Sequence, residues 1–238
     1  MEALILAGGM GTRLRDIVVD VPKPMAQING RPFLEYIFEW ISRYSVGKAI
    51  LSVGYKAESV MQHFGDSFSG IRIEYTVEEK PLGTGGAVKY ALKKTTGRDI
   101  LIINGDTYFP IDLDRFYHWH VKNDHVFSMA LKRMKNSDRY GSVALRGSTI
   151  VKFYEKKFSE DCLINGGIYL INRSFIESRP LPEIFSLEKE LMEKEAGTSI
   201  LKGRIFKEMF IDIGIPEDYK RAQALLGDFK GSSEIRDL

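Results

Sequence analysis

The sequence predicts an α/β fold in which a mixed, mostly parallel central sheet carries helices on both faces and continues into a small antiparallel extension. Three observations lead there. Over the first hundred residues, short apolar runs alternate with helical patterns. The run Ile100-Leu101-Ile102-Ile103 has no polar position, as expected of a strand buried on both faces. Beyond Asp106, strand-like segments follow one another with few helices between them.

Taken in order, Ala3-Leu4-Ile5-Leu6-Ala7 reads as the first strand, and a glycine-rich loop follows it. Pro32 opens an amphipathic helix whose apolar positions, Leu34, Ile37, Phe38, Ile41 and Tyr44, recur at helical spacing. Residues 49–53 read as a strand, 58–64 as a short helix, 71–77 as an alternating strand and 84–94 as a helix. After the 100–103 strand, a helix over 113–122 precedes strands over 126–133, 142–145, 150–154 and 163–171, which extend the first sheet. A helix is expected over 186–194. Another starts at Pro216, with Glu217 and Asp218 in the first turn, where the helix dipole favours acids. No repeat or linker divides the chain, so residues 1–226 are expected to form one domain, followed by a polar tail over 227–238.

The 238 residues carry 34 Lys and Arg against 32 Asp and Glu, a net charge of +2. With no block of five like charges, a partner held by bulk electrostatics, nucleic acid above all, is excluded. The single cysteine, Cys162, excludes an intrachain disulfide and a cysteine metal cluster. No stretch reaches the ~20 apolar residues of a membrane span, and the run at 3–7 is too short for a signal peptide. A cytoplasmic protein without a membrane partner is expected, with self-association into a homo-oligomer left open.

The strongest local signal is Leu6-Ala7-Gly8-Gly9-Met10-Gly11-Thr12-Arg13-Leu14. Its glycines let successive backbone N–H groups point at an anion, Arg13 adds a bidentate fork, and the loop follows a strand, where α/β folds bind nucleotides. Neither the dinucleotide fingerprint nor the Walker A pattern fits, since the sixth position from Gly9 is Leu14 and no G-x-x-x-x-G-K-[ST] run exists.

This segment, with Pro22-Lys23-Pro24-Met25, resembles the signature of the sugar-1-phosphate nucleotidylyltransferases. So do Pro81-Leu82-Gly83-Thr84-Gly85-Gly86-Ala87, Asn104-Gly105-Asp106, Tyr154-Glu155-Lys156, Asn165-Gly166-Gly167-Ile168-Tyr169 and the stretch from Asp212 to Tyr219. The matches fall in order from residue 4 to about 222. Within that family, Asp138-Arg139-Tyr140-Gly141 and Leu163-Ile164-Asn165-Gly166-Gly167 look most like the D-glycero-D-manno-heptose 1-phosphate guanylyltransferases. The resemblance implies a Rossmann-like, three-layer α/β/α nucleotidyltransferase fold. It also implies a reaction that joins a sugar 1-phosphate to GTP and releases pyrophosphate. Mannose 1-phosphate with GTP, or a hexose 1-phosphate with UTP or dTTP, remain alternatives.

An attack by one phosphate on another meets charge repulsion, so cations and positioning carry such a reaction. By resemblance, Arg13 and Lys23 act on the triphosphate, and Asp106 and Asp212 hold Mg²⁺, for which hard oxygen ligands are suited. Leu6, Ala7, Gly8, Gly9, Gly11, Thr12, Gly83 and Thr84 would cradle the nucleotide. Glu78 would accept from guanine N1–H and N2–H₂ together, although a backbone contact could decide the base instead. Tyr140, Gly141, Glu155, Lys156, Asn165 and Gly167 face the sugar phosphate, with the asparagine amide as a hydroxyl reader and Lys156, in a strand-like run, on the phosphate.

Other features read as structural. Asp112-Leu113-Asp114 spells the D-x-D of metal-dependent glycosyltransferases but stands where a helix starts, so capping is expected. His118 and His120 lie on different faces of one helix, Trp40 and Trp119 belong to the core, and Cys162 precedes a strand as a small buried residue.

Overall fold

The computed structural model describes residues 1–9 and 21–227. In chain order the elements are β1 (Glu2–Leu6), a 3-10 turn (Lys23–Met25), β2 (Gln27–Ile28), β3 (Arg31–Pro32), α1 (Phe33–Ile41), β4 (Lys48–Val53) and α2 (Ala57–Phe64). Then come β5 (Ser67–Phe68), β6 (Ile71–Val77), α3 (Gly83–Ala91), a 3-10 turn (Leu92–Lys94), β7 (Asp99–Asn104), β8 (Thr107–Tyr108) and α4 (Leu113–Lys122). The last part comprises β9 (Phe127–Ser137), β10 (Ser142–Arg146), β11 (Thr149–Tyr154), β12 (Ser159–Asn172), α5 (Arg173–Glu177), a π-helix (Leu187–Met192), α6 (Glu193–Glu195), β13 (Leu201–Phe206), β14 (Ile211–Asp212) and α7 (Pro216–Leu226).

One ten-stranded sheet has the order β10-β11-β13-β9-β12-β7-β1-β4-β6-β5. Strand β1 lies parallel to β4 and β7, β4 to β6, and β13 to β9. The joins of β12 to β7 and β9, of β10 to β11 and β12, of β11 to β13 and of β5 to β6 are antiparallel. The sheet is therefore mixed, and parallel pairing holds among β7, β1, β4 and β6 and between β13 and β9, without the expected majority. The reason is the chain between strands. Parallel neighbours need a crossover of a dozen or more residues, which α1, α2 and α3 supply early, whereas the strands from β9 to β12 are joined by short turns.

Side chains alternate along the central strands and feed two cores. Ala3, Ile5, Ala49, Leu51, Leu101 and Ile103 pack with α1, α2, α4 and α7. Leu4, Ile50, Ile100 and Ile102 pack with α3, α5 and the π-helix. Helix α1 shows why: every residue but Glu35 and Glu39 is buried. Burial of each such large apolar side chain stabilises by about 1.5–3 kcal/mol relative to exposure. The indole of Trp40 keeps its polar edge satisfied by donating to the Ile111 carbonyl at 3.1 Å.

Strand β13 and helix α5 have no counterpart in the pattern analysis. In β13, lysine, glycine and arginine interrupt the apolar signal; a Cβ at Gly203 would stand 2.6 Å from Leu131 Cδ1, so the gap is a packing requirement. The 186–194 helix is largely π-helical. Asp112 caps α4, its carboxylate accepting the Arg115 N–H at 2.8 Å, so the D-x-D spelling belongs to a helix start. His118 is exposed and His120 buried, Trp40 is in the core and Trp119 packs against it. Cys162 lies within β12 rather than before it and is half-buried.

Candidate active site

Strands β1, β4 and β7 end side by side, with β1 sending its chain toward β4 and β7 lying on its other flank. Such a switch point leaves a crevice beyond the carboxyl ends of parallel strands. Here it is a cavity of about 510 Å³, lined by Leu6, Gly8 and Gly9 after β1, Gly54 and Tyr55 after β4, Glu78 to Pro81 after β6, Asn104 and Asp106 at β7, Lys23 and Pro24, and Gly83, Thr84 and Ala87 of α3. Ala7 lies beneath it, fully buried, its N–H donating to Ser52 at 2.8 Å. Gly11, Thr12 and Arg13 lie outside the described residues.

At the rim, Lys23 meets both aspartates. Its Nζ is 2.5 Å from Asp106 Oδ2 and 3.6 Å from Asp212 Oδ1. Pro22 and Pro24 hold the lysine in its 3-10 turn, in the extended-then-turn geometry that X-Pro steps favour. A two-residue ribbon brings the aspartates together: β14 pairs with β8, placing Asp212 opposite Thr107, and the Ile213 N–H donates to the Asp106 carbonyl at 3.1 Å. Burial, followed by the charge of Asp106, pushes the Asp212 carboxyl above its usual range, while Lys23 and the Gly214 N–H pull it back. Two carboxylates converging on one ammonium, one of them held at a cost by burial, form an arrangement that could take a divalent cation through hard oxygen donors.

Glu78 is placed with equal definition. Its Oε1 accepts from Ser52 Oγ at 3.1 Å and its Oε2 from the Leu82 N–H at 3.0 Å. A Cβ at Gly8 would lie 2.7 Å from Oε1, so the glycine loop and this carboxylate share one wall. A carboxylate has about four acceptor sites, so two remain for a ligand.

The glycine run after Pro81 also makes a contact within the protein. Gly83 has φ +73°, and Cβ atoms at Gly85 and Gly86 would stand 2.1 Å from the Phe185 ring and 2.3 Å from the Glu183 carbonyl oxygen. These glycines let residues 183–185 close on the start of α3, and the Phe185 carbonyl takes the N–H groups of Gly85 and Gly86. Thr84 lines the cavity, but its hydroxyl donates to Glu188 at 2.6 Å and accepts the Leu187 N–H at 2.9 Å. Gly83 and Thr84 therefore shape the wall rather than offer the hydroxyl.

Among the residues expected at the sugar phosphate, Tyr140 stacks edge-on to Phe210 at 5.8 Å, and burial, with Asp212 and Asp218 beside it, raises its phenol above the ordinary value. Arg139 donates to buried Asp218, which also accepts from Tyr140 at 3.4 Å. A Cβ at Gly141 would sit 3.0 Å from the Tyr154 carbonyl oxygen. Asn165 commits half of its amide within the protein: Nδ2 donates one hydrogen to Tyr169 at 2.8 Å, and Oδ1 accepts from the Gly167 N–H at 2.9 Å. It holds the Gly167 turn, which lies against Asn104. Glu155 and Lys156 stand past the end of β11, exposed, with no hydrogen bond or ion pair among the described residues. The strand-like placement of Lys156 is thus corrected, because pairing with β10 stops at Tyr154. Asn104 on the cavity wall and the Asp218–Arg139 pair are not among the expected site residues, although Asn104 stands in Asn-Gly-Asp, Arg139 in Asp138-Arg139-Tyr140-Gly141 and Asp218 in the stretch from Asp212 to Tyr219.

Residues 2–228 match the family described as nucleotidyl transferase. The chain belongs to the nucleotidyl transferase family. This nucleotidyl transferase is 46% identical over 223 residues to a D-glycero-alpha-D-manno-heptose 1-phosphate guanylyltransferase of Aneurinibacillus thermoaerophilus, covering 94% of this chain and 97% of the relative. A protein of the same name from Campylobacter jejuni is also 46% identical, over 92% of this chain and 97% of the relative. A crystal structure of HddC from Yersinia pseudotuberculosis complexed with GMP-PN superposes with a TM-score of 0.85 at 34% identity, covering 94% of this chain and 99% of that one. The inositol-1-phosphate CTP transferase from T. maritima shares the fold, with a TM-score of 0.75 at 20% identity. Among the described residues of this nucleotidyl transferase, no helix is long and apolar enough to cross a membrane.

Proposed function

We propose that this nucleotidyl transferase joins D-glycero-α-D-manno-heptose 1-phosphate to GTP, giving the GDP-sugar and pyrophosphate. The observation that carries the reading is the convergence of Lys23, Asp106 and Asp212 at the mouth of a nucleotide-sized cavity in a chain so similar to two guanylyltransferases along its length.

An oxygen of the sugar phosphate attacks the α-phosphorus of GTP. The new P–O bond forms as the bond to the bridging oxygen breaks, and that electron pair leaves on pyrophosphate. No side chain is needed as nucleophile, so the protein holds two anions together and meets the charge that develops. Lys23, set between its prolines, supplies a fixed ammonium at the reacting phosphates, and Arg13 adds a second cation by sequence resemblance. Asp106 and Asp212 would hold Mg²⁺, which acts as Lewis acid and template when bound. Glu78, held by Ser52 and Leu82, accepts from the two ring-edge donors of guanine, a pairing that uracil or thymine cannot complete. Tyr140, Gly141, Asn165 and Gly167 shape the sugar side, and exposed Lys156 reaches the sugar phosphate when it binds. The enzyme works in the cytoplasm and supplies activated sugar for a cell-surface polysaccharide.

Pyrophosphate release across four triphosphates and several sugar 1-phosphates tests the reading. GTP with the heptose 1-phosphate is expected to give the highest kcat/KM. Preference for UTP overturns the role of Glu78, and preference for mannose 1-phosphate overturns the acceptor.

A further inference from the structure

Helix α3 borders two cavities. Gly83, Thr84 and Ala87 face the active site, while Gly86, Lys89 and Tyr90, with Lys93 in the following turn, face a second cavity of about 480 Å³. We propose that this second cavity, which shares Glu78, Glu79 and Lys80 with the first, is an effector site for a nucleoside phosphate beyond the catalytic reading above.

Its chemistry is two-sided. Val77, Leu82 and Tyr90 offer apolar and aromatic surface, and Lys80, Lys89 and Lys93 bring three ammonium groups to the same space. Each lysine keeps N–H donors for an anion. Lys89 spends one on the Leu181 carbonyl at 2.5 Å. Lys80 is paired with Glu183 at 3.2 Å, but both side chains are mostly exposed, and such pairs are worth little and open readily. Lys93 lies 5.1 Å from the Tyr90 ring centre and makes no hydrogen bond among the described residues. A flat heterocycle against Tyr90, with phosphate on the lysines, fills a space of this size, and Glu79 and Glu183 can accept from ring N–H or ribose hydroxyl groups.

The site is wired to catalysis by one hydrogen bond. Leu82 lines the second cavity, and its N–H donates at 3.0 Å to Glu78, which lines both. Movement of Leu82 on occupancy therefore acts on the carboxylate assigned to the base, and the ligand alters triphosphate affinity.

Equilibrium dialysis of the whole chain with labelled GDP tests this. Two GDP per chain are expected for the wild type. Lys93→Glu and Tyr90→Ala, both exposed and outside the catalytic machinery, should each weaken the second event at least tenfold while leaving KM for GTP and kcat unchanged. Inhibition by GDP against GTP should be mixed in the wild type and purely competitive in the variants. One GDP per wild-type chain, two undiminished in both variants, or purely competitive inhibition of the wild type overturns the proposal. Displacement of the second GDP by inorganic phosphate as effectively as by GMP overturns recognition of the ring. Should the substrate grid favour another triphosphate, that outcome strikes the catalytic reading alone, and dialysis with the matching diphosphate repeats this test.

Discussion

The N–H of Ile213 donates to the carbonyl oxygen of Asp106 at 3.1 Å. One backbone bond thus ties the residue after Asp212 to Asp106, and the β8–β14 ribbon, anchored in the core by Tyr108, Ile211 and Ile213, holds both carboxylates at the ammonium of Lys23.

Lys23→Ala should lower kcat about a hundredfold or more, the scale for losing one preorganised charge contact. Because the lysine side chain is 11% exposed and faces both aspartates, calorimetry of the variant separates lost turnover from lost folding. Initial-rate pyrophosphate release measures it, and near-normal turnover refutes the assigned role.

Asp106→Asn and Asp112→Asn separate two enzyme classes. Asp106→Asn is expected to abolish turnover. Asp112→Asn should keep it, because asparagine caps a helix about as well as aspartate, and stability should change by less than about 0.5 kcal/mol. Loss at Asp112 alone would instead favour a glycosyltransferase that uses the D-x-D pair.

Gly85→Ala and Gly86→Ala should each destabilise by about 1–3 kcal/mol, because the new methyl group overlaps the Phe185 ring or the Glu183 carbonyl. That lowers Tm by roughly 2–4 °C per kcal/mol for a chain of this size. Gly9→Ala, with nothing within 4 Å of the added Cβ among the described residues, is the control and should melt with the wild type. Calorimetry of the three decides whether the run serves packing.

Asp218→Ala removes the acceptor that Arg139 and Tyr140 share. KM for the sugar 1-phosphate should rise by tenfold or more while KM for GTP stays within twofold. Equal changes in both would mean that Asp218 supports the fold and not the acceptor side.

His120 sets an acid limit. It is buried, its Nδ1 lies 2.7 Å from Ser128 Oγ, and burial lowers its pKa below the usual value, with Asp99 at 3.4 Å opposing in part. The unfolded chain therefore takes up the proton first as pH falls. The stabilising contribution is complete above the unfolded value of about 6.5 and is lost below it, at up to about 1.4 kcal/mol per pH unit. His125 is shifted the same way and adds to the slope. Urea titrations from pH 7.5 to 5 should show a steeper loss for wild type than for His120→Gln; parallel curves would remove His120 as the cause.

Sequence alone determined the order of the early strands and helices, and its family resemblance singled out Lys23, Asp106, Asp212 and Glu78, which the structure brings to one cavity and its edge. Each of these rests on local information: apolar periodicity marks β1, β4 and β7, and a residue in a short motif carries its chemistry with it. Tertiary structure decided what depends on partners distant in the chain. Strand β13 is half-polar by pattern and becomes a strand only by pairing with β9. Gly85 and Gly86 stand in a short glycine motif, but that they make room for Phe185 and Glu183 shows only in the folded chain, while Gly83 lines the cavity. Asn165 reads as a free amide for a sugar hydroxyl, whereas Tyr169 and Gly167 take one of its donors and one of its acceptor positions. Whether a polar group is free for a ligand is a question of who else reaches it, and that is settled by packing rather than by neighbours in sequence.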